Sequence, residues 1–256
     1  MKILVCIKQV PEPEARIEPA PDGRSVQVAG EACRMNRYDA CALECAVRLK
    51  AAATVPVTIH AVTVGPDGAD VVLRRAMGMG ADAAAHLVCT RDPFLSPYVV
   101  AEALAHYARK AAYDLILCGV VSEDMMQGIT GPILAEHLGL PAACSVMTVR
   151  FWDDGAGVDI EKEVEGGVQV AMALPLPALL SIQSGVYQPR YPSLSRLLKA
   201  AGAVVETFPV QSEAAPRQRI SHVGAPSAKV TARFLEGSLE QKARALQHLL
   251  AGQGVL

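Results

Sequence analysis

The sequence predicts an α/β fold: a twisted parallel sheet with helices on both faces, then an antiparallel hairpin and an extended C-terminal arm with a terminal helix. Three observations carry this. Continuous apolar runs of strand length recur at Ile3–Ile7, Val57–Pro66, "AHLVCT" and Asp114–Val120, and an unbroken run marks a strand covered on both faces. Helically spaced segments alternate with these runs four times, the grammar of parallel strands joined by crossover helices. After residue 141 that grammar changes, and two strand-like arms flank Gly166-Gly167, a hairpin signal.

The elements follow in order. A polar, proline-rich loop occupies Pro11 to Ala32. "MNRYDACALECAVRLKAAA" sets Leu43, Ala46, Val47 and Leu49 on one stripe, with Asn36 or Asp39 placed to cap its start. "ADVVLRRAMGMGAD" is the second helix, ended by Gly78 and Gly80. Pro97 to Ala112 is the third. "CGVVSEDMMQGITGPILAEHLGLP" (Cys118–Pro141) passes from strand through small residues into the fourth helix and a Gly-Leu-Pro stop. "PALLSIQSG" adds a strand, and "YQPRYPSLSRLLKA" is a proline-bounded loop entering a short helix. Glu213 to Lys229 reads as a linker or arm, and Ser238 to Leu250 as an amphipathic helix.

Composition narrows the function. A chain of 256 residues suits one large domain or a domain with an appendage. Net charge is -2 with no dense basic stretch, so nucleic acid and acidic membranes are not expected partners. The seven cysteines form no CxxC pair and read as reduced thiols. Cys41 and Cys45 share a helix face but lack further ligands at metal spacing. The six histidines are scattered, without a nucleophile or carboxylate in a recognisable motif, so no catalytic residue and no metal site are expected. "MKILVCIKQV" does not read as a signal peptide, and the longest apolar run, Ala171 to Ile182, is too short to span a bilayer. The expectation is a soluble, cytoplasmic protein without direct membrane insertion.

The Cys118–Pro141 segment carries the chemistry. A strand that turns through small residues into a helix N-terminus is how α/β proteins hold phosphates. The strand ends Ile7–Lys8, Val64–Pro66 and Cys118–Gly119 are expected to converge on one crevice.

Four blocks resemble the β subunit of electron transfer flavoproteins. They are "ILVCIKQVPEP"; "MNRYDACALECAVRLK"; "VTVGPDGADVVLRRAMGMGADAA"; and the joined set "VDIEKEVEGG", "LPALLSIQSG" and "YQPRYPSLSRLLKA". Together they cover most of residues 1–205 in the family's order. The resemblance implies an adenine-nucleotide alpha hydrolase-like, Rossmann-like domain over 1–210, with a recognition-type loop at about 184–199. It implies an arm over 211–256 that docks on an α subunit. The function implied is that of an electron carrier subunit rather than an enzyme with its own substrate. Electrons come from a flavin dehydrogenase, such as an acyl-CoA dehydrogenase, and pass to a downstream acceptor. FAD sits mainly on the α subunit, and AMP or a second FAD on this chain.

The same resemblance assigns residues. The nucleotide site falls on Cys6, Lys8, Asn36, Val64 and Gly65, with Gly119, Ser122, Asp124, Gln127, Gly128, Ile129 and Thr130 as the phosphate loop. Glu163 falls near the flavin at the subunit interface. Pro189, Arg190, Tyr191 and Leu194 fall on the dehydrogenase-recognition loop, Leu194 as its anchor. The phosphate loop departs from the family pattern, since Met125 and Met126 stand at polar positions. Each lost side-chain hydrogen bond is worth about 0.5–1.5 kcal/mol, so affinity for the family nucleotide is expected to fall. Two other readings compete: a stand-alone adenine-nucleotide-binding module, and a scaffold with an empty site.

Overall fold

The computed structural model describes residues 1–28, 33–89, 96–210, 217–225, 232 and 234–255. Expectations for 29–32, for Thr90 and for parts of the 213–229 arm lie outside the described residues.

Strand β1 (Lys2–Cys6) opens the chain. Four three-residue strands follow, β2 (Gln9–Pro11), β3 (Ile17–Pro19), β4 (Val26–Val28) and β5 (Cys33–Met35), with β2 paired to β5 and β3 to β4. The sequence reads this stretch as loop, and three-residue strands are too short for periodicity to reveal. Then come α1 (Arg37–Ala52), β6 (Thr58–Gly65), α2 (Asp70–Met79), β7 (Ala83–Val88), α3 (Pro97–Arg109), β8 (Leu115–Gly119) and α4 (Thr130–Leu138). The second half holds β9 (Ala142–Phe151), β10 (Gly157–Val164), β11 (Val168–Pro175), β12 (Ala178–Ile182), α5 (Leu194–Ala201), β13 (Glu206–Pro209) and α6 (Leu239–Gly252).

One nine-stranded sheet runs in the order β11-β10-β9-β12-β8-β1-β6-β7-β13. Central β1 pairs in parallel with β6 on one side and β8 on the other. The chain steps outward from β1 to β6 and β7, then returns to place β8 on β1's free edge. Strand order therefore reverses at β1, where doubly wound sheets open a crevice. Strand alternation splits the core. Ile3, Val5 and Ile7 pack with Leu43 of α1 and Leu73 of α2, whereas Leu4, Cys6, Val62 and Val64 pack with Leu104 of α3 and Leu134 of α4.

Two expected helix ends are corrected. Asn36 occupies the cap position of α1, but its side chain makes no capping bond. Gly78 lies inside α2, not at its end; only Gly80 closes the helix, at φ 135°. A Cβ on Gly78 would stand 3.2 Å from Leu197 and 3.4 Å from Pro192, so this glycine serves the packing of α5 on α2.

The expected hairpin about Gly166-Gly167 is β10–β11, and it sits on one edge of the main sheet. Along β11 all side chains but Leu174 are exposed, including Val168, Val170 and Met172.

The chain divides into Met1–Val223 and Gly224–Leu256. In the second unit Ser238 and Gln241 form a reciprocal capping box at the start of α6. Among the described residues no helix is long and apolar enough to cross a membrane. No group of three or more His, Cys, Asp or Glu among them could hold a metal ion.

Candidate functional site

The crevice at the sheet's switch point is a cleft of about 760 Å³, its open mouth included. Its walls come from the carboxyl ends of β1, β6 and β8, from the first two turns of α3 and the first turn of α4, and from the loop between β8 and α4. Val62, Val64, Val100 and Leu104 make its apolar slot, and Lys8, Asn36, Ser122, Gln127 and Thr130 add polar groups to the lining.

The loop is built for close approach. Ser122 N–H donates to the Gln127 carbonyl (3.0 Å) and Met126 N–H to the Ser122 carbonyl (2.8 Å). This closes a turn that holds Met126 in the left-handed region at φ 50°. Any Cβ on Gly128 would stand 2.5 Å from the Val120 carbonyl oxygen. One on Gly131 would stand 2.8 Å from Cys118 Sγ and 2.9 Å from Ser181 Oγ, so glycine there lets α4 sit directly over β8 and β12. Helix α4 has no side-chain cap. Thr130 and Gly131 line the cleft, and their N–H groups belong to the first helical turn, where no intrahelical acceptor exists. The helix dipole adds partial positive charge at the same place.

Asn36 braces this loop. Its Nδ2 donates to the Val121 carbonyl (3.0 Å), its Oδ1 accepts from Glu123 N–H (3.2 Å), and the residue is buried. The start of α1 is capped instead from the loop, by Glu123 Oε2 accepting from Arg37 N–H (3.0 Å). At the rim Lys8 Nζ pairs with Asp124 at 2.7 Å.

Sequence reasoning gave Asp39 only a capping role, and the structure corrects this. Its carboxylate accepts from Lys8 N–H and from Gly119 N–H, each at 2.8 Å. It thus ties the ends of β1 and β8 to the first turn of α1. Burial pushes the Asp39 carboxyl up to about 6, against the lowering effect of the Lys8 and Gly119 bonds. A carboxyl raised from 3.8 binds more protons folded than unfolded between about pH 4 and 6. Through this group stability therefore rises as pH falls across that window and is lower above it. The size is roughly 3 kcal/mol, at 1.36 kcal/mol per pH unit. Removing the titration with Asp39→Asn should flatten that part of the profile, measured as urea stability from pH 7 to pH 4 in both proteins. An unchanged pH slope in the variant would refute the assignment.

Of the residues expected at the nucleotide site, Cys6, Lys8, Asn36, Val64, Gly119, Ser122, Gln127, Gly128 and Thr130 line the cleft together. Gly65, Asp124 and Ile129 do not. The Gly65 carbonyl accepts from Cys89 N–H at 2.9 Å, Asp124 reaches the rim only through Lys8, and Ile129 is 39% exposed. Met125 lines the cleft while Met126 points outward. The sequence reading missed the wall made by α3, although "PYVVAEAL" carries the apolar stripe that could have signalled it.

Comparison with known proteins agrees with this architecture. The family profile described as "Electron transfer flavoprotein domain" matches residues 26–213. The chain is 31% identical over 261 residues to the electron transfer flavoprotein subunit beta of Bacillus subtilis (strain 168), covering 99% of this chain and 98% of that one. Against the Methylophilus methylotrophus subunit beta it is 32% identical over 206 residues, 80% of this chain and 78% of that one. With the mitochondrial subunit beta of Arabidopsis thaliana it shares 33% over 211 residues, 82% of each. The chain belongs to the electron transfer flavoprotein β-subunit family.

In this β-family chain the segment expected to recognise a dehydrogenase is held from behind and bare in front. Arg190 Nε and its terminal nitrogen donate to the Glu44 carboxylate at 2.7 and 3.0 Å. Glu44 is itself buried on α1. Pro192 is buried against α2, and Arg75 lies 5.2 Å from the centroid of the Tyr191 ring. Leu194 opens α5 at 72% exposure, with Leu198 one turn on at 68%. Glu163 lies on β10 opposite Gln169, exposed, on the hairpin and not on the cleft.

Proposed function

We propose that this chain is the β half of a heterodimeric electron transfer flavoprotein, and that its cleft holds the AMP portion of a nucleotide, either AMP itself or a second FAD. One observation carries the proposal: the apolar slot and the uncapped N-terminus of α4 meet at the switch point of the sheet. A flat adenine ring fits the slot between Val62, Val64, Val100 and Leu104, where backbone groups of the strand ends can read its edge. A phosphate fits the N–H groups at the start of α4. Gly128 and Gly131 are the positions where a Cβ would fill the cradle or displace the helix, so the residues present suit the group.

The FAD held mainly on the α subunit supplies the redox chemistry, passing electrons singly or in pairs. This chain's residues orient and support. Asn36, Asp39 and Glu123 fix the phosphate loop. The β10–β11 hairpin, with Glu163, faces the α subunit. Leu194, exposed on a braced loop, anchors in the flavin dehydrogenase that donates electrons. A stand-alone sensor would have no use for a bare β11 edge and a bare Leu194, which favours the heterodimer.

Co-expression with an α-type subunit should give a yellow 1:1 complex, and denaturing it should release flavin together with AMP, or flavin alone in excess of one per heterodimer. A colourless monomer that binds no α-type subunit would end the heterodimer reading. A complex that releases one FAD and no second nucleotide would favour the empty scaffold.

A further inference from the structure

We propose that Arg217 and Gln218 form an outer wall of the cleft, and that Arg217 supplies the positive charge that meets the ligand's phosphate. The inference rests on reading the cleft as a nucleotide site, and it adds a binding residue from a segment that the sequence assigned to the arm.

Two contacts place the segment at the mouth. Gln218 Nε2 donates to Gln127 Oε1 at 3.2 Å, and Gln127 lines the cleft. The Arg217 guanidinium lies 5.4 Å from the ring centroid of Tyr98. Tyr98 follows Pro97, a cleft wall, in the first turn of α3. The segment thus touches both the phosphate loop and the start of α3. A few residues on, Val223 N–H donates to the Gly23 carbonyl at 2.8 Å, so the stretch is fixed at both ends.

Charge supplies the reason. The charged side chains lining the cleft are Lys8 and Asp39. Lys8 is already paired with Asp124, and Asp39 repels an anion. A nucleotide phosphate would meet helix-terminal N–H groups but, among the described residues, no free cation in the walls. Arg217 is exposed, and among the described residues no carboxylate pairs with it. Its guanidinium carries a positive charge and presents donors in a fork that matches phosphate oxygens. An exposed cation–π contact is weak, so the side chain can leave Tyr98 for a charge-assisted hydrogen bond.

Hydrogen exchange on the full-length chain, stripped of nucleotide and titrated with AMP, tests this. AMP should slow exchange in two places, the loop at 121–131 and the segment at 217–223. Arg217→Gln should weaken AMP binding by about tenfold, leave the melting temperature of the free chain unchanged, and abolish protection at 217–223 alone. Arg217→Lys should retain part of the affinity. If AMP protects 121–131 and leaves 217–223 unchanged, with Arg217→Gln binding as tightly as the parent, the outer-wall proposal is wrong while the nucleotide reading stands. If AMP protects neither segment, the nucleotide reading fails and takes this proposal with it.

Discussion

Replacing Gly119 with alanine should lower the stability of the chain by about 3 kcal/mol and, on the proposed function, remove nucleotide binding. An added Cβ would lie 2.5 Å from Asp39 Oδ1, 2.6 Å from Tyr38 Cβ and 2.7 Å from the Tyr38 carbonyl carbon. Two of these belong to the first turn of α1 close to its backbone, and neither can swing aside as a flexible tip would. Retreat of α1 is blocked as well. Asp39 is bonded to the Lys8 and Gly119 N–H groups, and Asn36 to the Val121 carbonyl. Overpacking of a rigid contact typically costs 1–3 kcal/mol, occasionally more, and here relief would break the buried hydrogen bonds of a carboxylate. Gly202→Ala is the matched control, since nothing lies within 4 Å of its added Cβ and its φ is -90°. Urea midpoints for the two variants decide the matter. A Gly119→Ala protein within 0.5 kcal/mol of its parent would show that α1 and β8 are not locked as described.

Arg190→Ala should lower stability by about 2 kcal/mol and, on the proposed function, slow electron transfer from a flavin dehydrogenase. Removing one partner of a buried pair strands the other charge, at about 3–5 kcal/mol when both are fully buried. Here Glu44 is 4% exposed but Arg190 is 37% exposed, and Arg48 still pairs with Glu44 at 3.1 Å, so the smaller figure applies. Burial raises the Glu44 carboxyl, but the hydrogen bonds from Arg190 and Arg48 outweigh it and hold the group below its ordinary value. A depressed carboxyl contributes stability above its unfolded pKa of 4.5, and that contribution disappears as pH falls through the lower folded value. The penalty of Arg190→Ala should therefore be full at pH 7 and begin to shrink only below about pH 4.5. Leu194→Ala separates structure from recognition: 72% exposed, it should leave stability unchanged while weakening transfer. Equal stability loss in both variants would mean that Leu194 is part of the fold's own packing.

The central sheet was legible because its strands are long apolar runs. β1, β6, β7 and β8 need no knowledge of their neighbours to be recognised, and a parallel sheet between helices demands that composition. β9 escaped because "AACSVMTVRF" mixes small, polar and apolar residues, as suits a strand covered unevenly. β13, "ETFP", is four residues long, and only its pairing with β7 makes it a strand. At the cleft, glycines and strand ends could be read from spacing, since their roles belong to the backbone. Asp39 could not. In the sequence it is an acidic residue in a helix's first turn, where the dipole alone would favour it. Its actual partners are N–H groups 31 and 80 residues away. Asn36 shows the same limit: the cap position was right, but its side chain bonds across 85 residues to the Val121 carbonyl.

The uncovered β11 margin bears on how such a chain survives its own synthesis. Among the described residues β11 has no outer neighbour in the sheet, and such an edge beside Val168, Val170 and Met172 invites any passing strand. Among the flanking residues, Glu161, Lys162 and Glu163 on β10 provide charges that discourage such pairing. On the proposed heterodimer, solubility of the orphan chain depends on how soon a proper companion arrives, which favours matched output of both polypeptides and disposal of any surplus.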